Sequence, residues 1–254
     1  MGELERVLVL EGVWKRYGRG RDRWAAVLEG VSLTVAPKEI VTVLGTRDQG
    51  KTTLLRIAAG MERADRGSVC VDGIELMGLK DRQLSAVLRT KIGWAGRDGP
   101  GMRMRMRDYV GLQLAAGRWW RKRKRLLRTV EAMERLGVAD CAGARWEELS
   151  NWERTRVELA QAIAPHPRLL VVDDLLDGLS LGKLQEATRL VRELAEEIGC
   201  GVLMAVSDHM SPASSDRVVR LEAGKLTVMA DHTDPPSRPP RRGRRAYTES
   251  SINA

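Results

Sequence analysis

Aliphatic residues cluster in short runs over the first 45 positions: "RVLVLEGV" (6–13), "VLEGVSLTV" (27–35) and, after the turn "APKE", "IVTVLG" (40–45). Apolar runs of this length, bounded by turn residues, predict β-strands. From Gly50 to Ala59 the spacing becomes helical, in "GKTTLLRIAAG". Next, "GSVCVDGIEL" (67–76) predicts two short strands about an Asp72-Gly73 turn, and "DRQLSAVLR" (81–89) a helix. Residues from about 95 to 165 are helix-rich and largely strand-free, in "DYVGLQLAAG", "LLRTVEAMERLGV" and "NWERTRVELAQAIA". Strand and helix then alternate: "RLLVVDD", the helix "LGKLQEATRLVRELAEEIG", the strand "GVLMAV" and a closing hairpin-like pair "DRVVRLEAGKLTVM". That alternation predicts an α/β domain with a parallel sheet, and the helical block reads as an insertion into it. No internal repeat is visible.

One strand ends oddly. Leu169-Leu170-Val171-Val172 is followed by two adjacent acids, Asp173 and Asp174. Neighbouring carboxylates repel, and burying them is costly without a cation or hydrogen-bond donors. The acids are either solvated at a strand end or part of a metal or phosphate site.

"GTRDQGKT", Gly45 to Thr52, supplies a reason for the second reading. It fits G-x-x-x-x-G-K-[ST] and sits between an apolar strand and an apolar helix, the context that motif requires. The glycines let the backbone turn tightly, so that successive N–H groups and the helix N-terminus face a phosphate. Lys51 then reaches the β- and γ-phosphates, and the Thr52 hydroxyl is placed as a Mg²⁺ ligand. Such a loop needs an Asp from a second strand for the same ion. Asp173, at the carboxyl end of a strand buried on both faces, fills that role. Asp174 follows, placed to orient or deprotonate an attacking water. The expected ligands are therefore a triphosphate and Mg²⁺.

Composition narrows the class. The 254 residues are 43% hydrophobic and 30% charged, which reads as a soluble globular chain. No run of 18 apolar residues occurs, and the acidic start "MGELERVLVLEGVW" is unlike a signal peptide. Cys70, Cys141 and Cys200 are odd in number and lack metal spacing, which points to a reducing cytoplasm. The net charge of +9 is concentrated in "RWWRKRKRLLR" (118–128) and "SRPPRRGRR" (237–245). The expected organisation is a domain over 1–230, its helical block at about 95–165, and a basic Pro/Arg-rich disordered tail over 231–254. The pair Trp119-Trp120 beside the first basic run reads either as a membrane-facing patch or as a wet helix face. "MRMRMR" (102–107) suits either packing on a partner helix or an exposed loop.

In order and spacing these motifs resemble the ATP-binding subunit of ABC transporters, over about residues 6–229. "VWKRYG" (13–18) resembles the family's adenine-stacking segment, with Tyr17 as the aromatic; Tyr17 packing on its own sheet is the alternative. "GMERADRGSVCVDGIEL" resembles the stretch after the phosphate loop, and "LSNWERTRVELAQAIAPHPRLLVVDD" the signature motif, its helix and the second ATPase strand. "SDRVVRLEAGKL" resembles the terminal strands, while "LSAVLRTKIGW" and "MRMRDYVGLQLAAG" lean toward the subgroup serving lipoprotein-release and macrolide-export permeases. The resemblance implies a P-loop NTPase-type parallel sheet flanked by helices, an N-terminal antiparallel β subdomain and an inserted α-helical subdomain. It also implies that two such domains, as a homodimer or heterodimer, sandwich two ATPs and drive a separate integral membrane permease at the inner face of the cell membrane. The implied nucleotide-binding residues are Tyr17, Gly45, Thr46, Arg47, Asp48, Gln49, Gly50, Lys51, Thr52, Thr53 and Ser150; Thr52 and Asp173 bind the metal, and Asp174 is catalytic.

The chain departs from the family at several of these positions. After Leu149-Ser150 the signature glycines are replaced by Asn151, Trp152 and Glu153, which set an indole and a carboxylate where backbone would approach a phosphate. Arg97 stands at the Gln of the loop joining sheet to helical block, and is placed either on the γ-phosphate or permease or in solvent. Asp174 stands for the catalytic Glu, Ser180 for the last Asp of "DGLS", and Ser207 for the switch histidine, with His209 two residues beyond. These changes fall on hydrolysis and not on binding, so slow turnover is expected. The functional expectation is an ATP-binding transport subunit; the alternatives are a catalytically impaired regulatory subunit and, less supported, a nucleic-acid-associated ATPase suggested by the charge. Against the last, the chain has one cassette and no coiled-coil insertion.

Overall fold

The computed structural model describes residues 6–18, 24–115, 122–207 and 215–231. Two strands open the chain, β1 (Leu8–Gly18) and β2 (Trp24–Val35), followed by β3 (Ile40–Leu44) and the helix α1 (Lys51–Ala58). Next come β4 (Arg66–Val71), β5 (Ile74–Glu75), α2 (Asp81–Lys91) and β6 (Ile92–Ala95). The middle of the chain carries α3 (Met106–Val110), α4 (Leu112–Ala115), α5 (Lys122–Arg135) and α6 (Asn151–Ile163). β7 (Leu169–Asp173), α7 (Leu181–Ile198), β8 (Gly201–Val206), β9 (Arg217–Glu222) and β10 (Lys225–Asp231) complete the described order. Trp119-Trp120, His209 and the segment after Asp231 lie outside the described residues.

The strands form two sheets. A four-stranded antiparallel sheet runs β2-β1-β4-β5, and a six-stranded sheet runs β10-β9-β3-β8-β7-β6. In the larger sheet β9, β3, β8, β7 and β6 are parallel, and only β10 is antiparallel to its neighbour. Its central strands read as continuous apolar runs because both faces are covered. Along β7 the side chains alternate between two cores: Leu170 and Val172 pack with α6 and α7, while Leu169 and Val171 pack with α1 and the antiparallel sheet. All four are fully buried, and each contributes on the order of 1.5–3 kcal/mol of apolar transfer energy. The strand is thereby clamped in depth and register, with Asp173 opposite Ala205 of β8. Clamping sets where the carboxylate emerges.

The structure differs from the sequence reading at two local places. "DYVGLQLAAG" is expected as one helix but breaks at Gly111 into α3 and α4. A Cβ on Gly111 would lie 2.9 Å from Thr129 Oγ1 of α5, so the glycine permits the close approach of that helix. "IGWA" (92–95) is a strand that the pattern leaves unassigned; it is four residues long and follows α2 without a break, and only pairing with β7 makes it extended.

Candidate functional site

The phosphate loop joins β3 to α1, and its glycines are required by space as much as by conformation. Gly50, the N-cap of α1, has φ 93°, and a Cβ there would approach Val27 Cγ1 to 2.5 Å. Gly45 has an ordinary φ, but its Cβ would fall 2.9 Å from the Leu221 carbonyl oxygen. Asp48 sits at φ 64°, in the left-handed region. No side chain caps the first turn of α1. Those N–H groups are left for an external acceptor.

Lys51 is buried, and its ammonium donates to the carbonyls of Gly45 (2.8 Å) and Thr46 (3.1 Å). It leaves a third donor for an anion held over the loop. Thr52 Oγ1 donates to Asp173 Oδ1 at 3.1 Å, joining α1 to the tip of β7. Burial pushes the Asp173 carboxyl up to about 6, against the Thr52 hydrogen bond, which favours its charged form. Such a carboxylate gains most from a nearby cation. Hydroxyl and carboxylate oxygens suit Mg²⁺, which takes one or two protein oxygens and completes its shell with phosphates and water. Among the described residues no three His, Cys, Asp or Glu side chains group to hold an ion by themselves. When bound, Mg²⁺ neutralises phosphate charge.

Tyr17, Arg47, Asp48, Gly50, Lys51, Thr52, Thr53 and Asp174 line one open cleft of about 610 Å³ with Val27, Arg97 and Asp177. Tyr17 is held at its edge: its hydroxyl donates to Glu62, and Lys15 lies 5.3 Å from the ring centre. Asp174 adopts φ 47°, uncommon for a residue other than glycine, and its Oδ1 is buried with no hydrogen-bond donor. Burial raises its carboxyl above the usual range, Lys51 opposes this, and Asp177 adds repulsion. Gln49 faces away: its Oε1 accepts from the backbone N–H of Ala223, in the β9–β10 turn.

Ser150 stands elsewhere, as the N-cap of α6. Its hydroxyl donates to Glu153 Oε2 (2.6 Å) and accepts from the Glu153 N–H (3.3 Å), while the Ser150 N–H donates to the same carboxylate (2.8 Å). These bonds hold the Glu153 carboxyl below its usual range. The spacing Ser150-x-x-Glu153 is a capping box, readable from sequence but absent from the expectations above. Trp152 does not enter the cleft; its ring lies between Arg156 (5.3 Å) and Lys183 (4.9 Å).

Beside the cleft is a cavity of about 170 Å³ that shares two of its lining residues, Arg97 and Asp177. Glu158 of α6 lines it, almost fully buried, accepting from the Tyr109 hydroxyl of α3 at 2.8 Å. Burial lifts the Glu158 carboxyl to about 7. Neither Glu158 nor Asp177 was singled out by sequence reasoning. Glu158 sits in an apolar helical pattern, and Asp177 gains its setting only from the turn that follows β7.

The sequence profile described as ABC transporter matches residues 28–176. Lipoprotein-releasing system ATP-binding protein LolD of Cereibacter sphaeroides is 32% identical over 229 residues, spanning 88% of this chain and 100% of that protein. Methionine import ATP-binding protein MetN of Rhizobium johnstonii is 31% identical over 224 residues, spanning 87% of this chain and 60% of that longer protein. In fold, the chain is similar to the ATP-binding cassette MJ0796, solved as a dimer bound to ADP and Pi, with a TM-score of 0.80 and 24% identity over 89% of this chain and 99% of that one. The motifs in order, the two-sheet architecture and the match over more than half the length agree: this chain belongs to the ABC transporter family, with the build of its ATP-binding cassettes.

Proposed function

We propose that this chain is the ATP-binding subunit of an ABC transporter, taking Mg²⁺-ATP between the phosphate loop and the tip of β7 and coupling its binding and hydrolysis to a separate membrane permease. The observation that carries this is the Thr52–Asp173 bond beneath an uncapped helix start: one element offers N–H groups and an ammonium to phosphates, the other offers paired hard oxygens to their metal. In this reading Lys51 and the loop N–H groups hold the β- and γ-phosphates, Thr52 and Asp173 hold the ion, Tyr17 stacks on the base, and Asp174 faces the attacking water. No helix among the described residues is long and apolar enough to cross a membrane; in this reading the chain attaches through the permease, at the cytoplasmic face. A second cassette, a copy of this chain or a relative, completes the unit. The matched relatives are named for release and import systems, which supports a transport motor over a regulatory half.

Equilibrium binding of ATP with and without Mg²⁺, by calorimetry on the full chain, tests the reading. Mg²⁺-dependent binding is expected, with a rise in melting temperature worth about 2.7 kcal/mol at 100 times the dissociation constant. Absence of any nucleotide-induced stabilisation overturns it.

A further inference from the structure

The turn after β7 holds two carboxylates, and only Asp174 has a role so far. The Asp177 N–H donates to the Asp174 carbonyl at 3.2 Å, closing a turn whose first and last residues are the two acids. A closed turn of four residues keeps its end Cα atoms within about 7 Å. Leu175 and Leu176 between them are buried, which fixes the turn to the core. Both carboxylates line the nucleotide cleft. Asp177 Oδ2 accepts from the Ser207 hydroxyl, at the end of β8, at 2.5 Å. With that oxygen held, Asp177 Oδ1 is buried without a donor, and so is Asp174 Oδ1. Unmatched buried acceptors are costly, and two on residues that line one cleft would be satisfied by a ligand that brings two donors between them.

Lys51, Arg97 and Arg47 lie near enough to favour the charged form of Asp174, yet no side chain hydrogen-bonds either Oδ1. The Lys51 ammonium bonds two loop carbonyls, and the Thr52 hydroxyl already donates to Asp173. A water molecule has two O–H donors and keeps its lone pairs pointing away from both acceptors. That is the arrangement a nucleophilic water needs.

We propose that Asp177 is a second catalytic carboxylate, which with Asp174 grips the water that attacks ATP, and that Ser207 is the positioning residue that aims it. The inference rests on the ATP-hydrolysing reading above. The water oxygen bonds to the γ-phosphorus, the bond from that phosphorus to the β–γ bridging oxygen breaks, and the bridging oxygen leaves on ADP with the electron pair. One water proton passes to Asp174 and on to solvent; the other stays on the inorganic phosphate.

Single-turnover hydrolysis and nucleotide affinity, measured on the full chain and its variants with Mg²⁺-ATP, test this. Asp177→Ala is expected to slow the chemical step about a hundredfold, as for a reacting group misplaced by 1 Å, with nucleotide affinity within about twofold of the parent. Ser207→Ala should lower the rate in the same sense, and Ser207→Thr, which keeps the hydroxyl, should restore it. A melting temperature near the parent's for the serine variants separates aiming from folding. If Asp177→Ala turns over at the parental rate, or loses Mg²⁺-dependent affinity as a metal ligand would, the proposal is overturned. It also fails if the parent binds ATP but hydrolyses no faster than Asp174→Ala, while the binding reading survives. Failure of the parent to bind nucleotide sinks the function itself.

Discussion

Two helices of this chain begin at motifs the family uses for nucleotide, and they begin differently. α1 starts at Gly50 with no side-chain cap, its N–H groups and Lys51 turned toward an open cleft. α6 starts at Ser150 with its cap closed from within, since Glu153 takes the Ser150 hydroxyl and backbone N–H. An uncapped helix start is an anion site in waiting, while one closed by a carboxylate is satisfied and negative. Retention of a motif's first serine therefore says little until its partners are seen. The same holds further along α6, where Glu158 is tied to Tyr109 and contributes to internal structure beside the cleft.

The largest expected effect lies within α6. Because the folded Glu158 carboxyl is lifted to about 7 from 4.5, the neutral form stabilises the fold fully below about 4.5, and that contribution is lost as pH rises through 7. Glu158→Gln should remove this pH dependence, so its stability relative to the parent should improve between pH 5 and pH 8 by on the order of 3 kcal/mol. Denaturant midpoints at the two pH values check it; equal slopes for parent and variant would mean that α6 holds no strained acid. On the open side of the comparison, Lys51→Ala should weaken ATP binding by about 2–3 kcal/mol, roughly the strength of a hydrogen bond to a charged group. Calorimetry reads the difference, and unchanged affinity would deny that the α1 start is the phosphate site. The smallest effect separates the two helix starts directly. Ser150→Ala should cost about 1 kcal/mol of stability through the lost cap and leave the affinity of the chain's own cleft for ATP unchanged. A drop in that affinity for the isolated chain would place Ser150 at the cleft after all.

Much of the scaffold is legible in the sequence because it depends on short-range pattern. The unbroken apolar run ending at Asp173 marks a strand covered on both faces, and the structure buries all four aliphatics in two separate cores. The glycines of "GTRDQGKT" are legible for a similar reason, although the atoms they avoid, Val27 and the Leu221 carbonyl, come from strands far away in sequence. Less legible are features whose partners lie far apart along the chain. β6 is extended because β7 lies beside it, and Gly111, where α3 gives way to α4, leaves room for Thr129 of α5. Gln49, inside the motif, turns out to serve the β9–β10 turn.

Local order along the chain was enough to announce an α/β cassette with a phosphate loop and an acid-tipped strand, since strand burial, glycine turns and helix periodicity are properties of neighbouring residues. Which polar groups remain open and which are already answered was decided only in three dimensions. Hydrogen bonds such as Ser207 to Asp177, Tyr109 to Glu158 and Thr52 to Asp173 join residues 30, 49 and 121 positions apart. A carboxylate's charge, reach and availability depend on what the fold brings within about 3 Å of it, and no pattern of spacing records that.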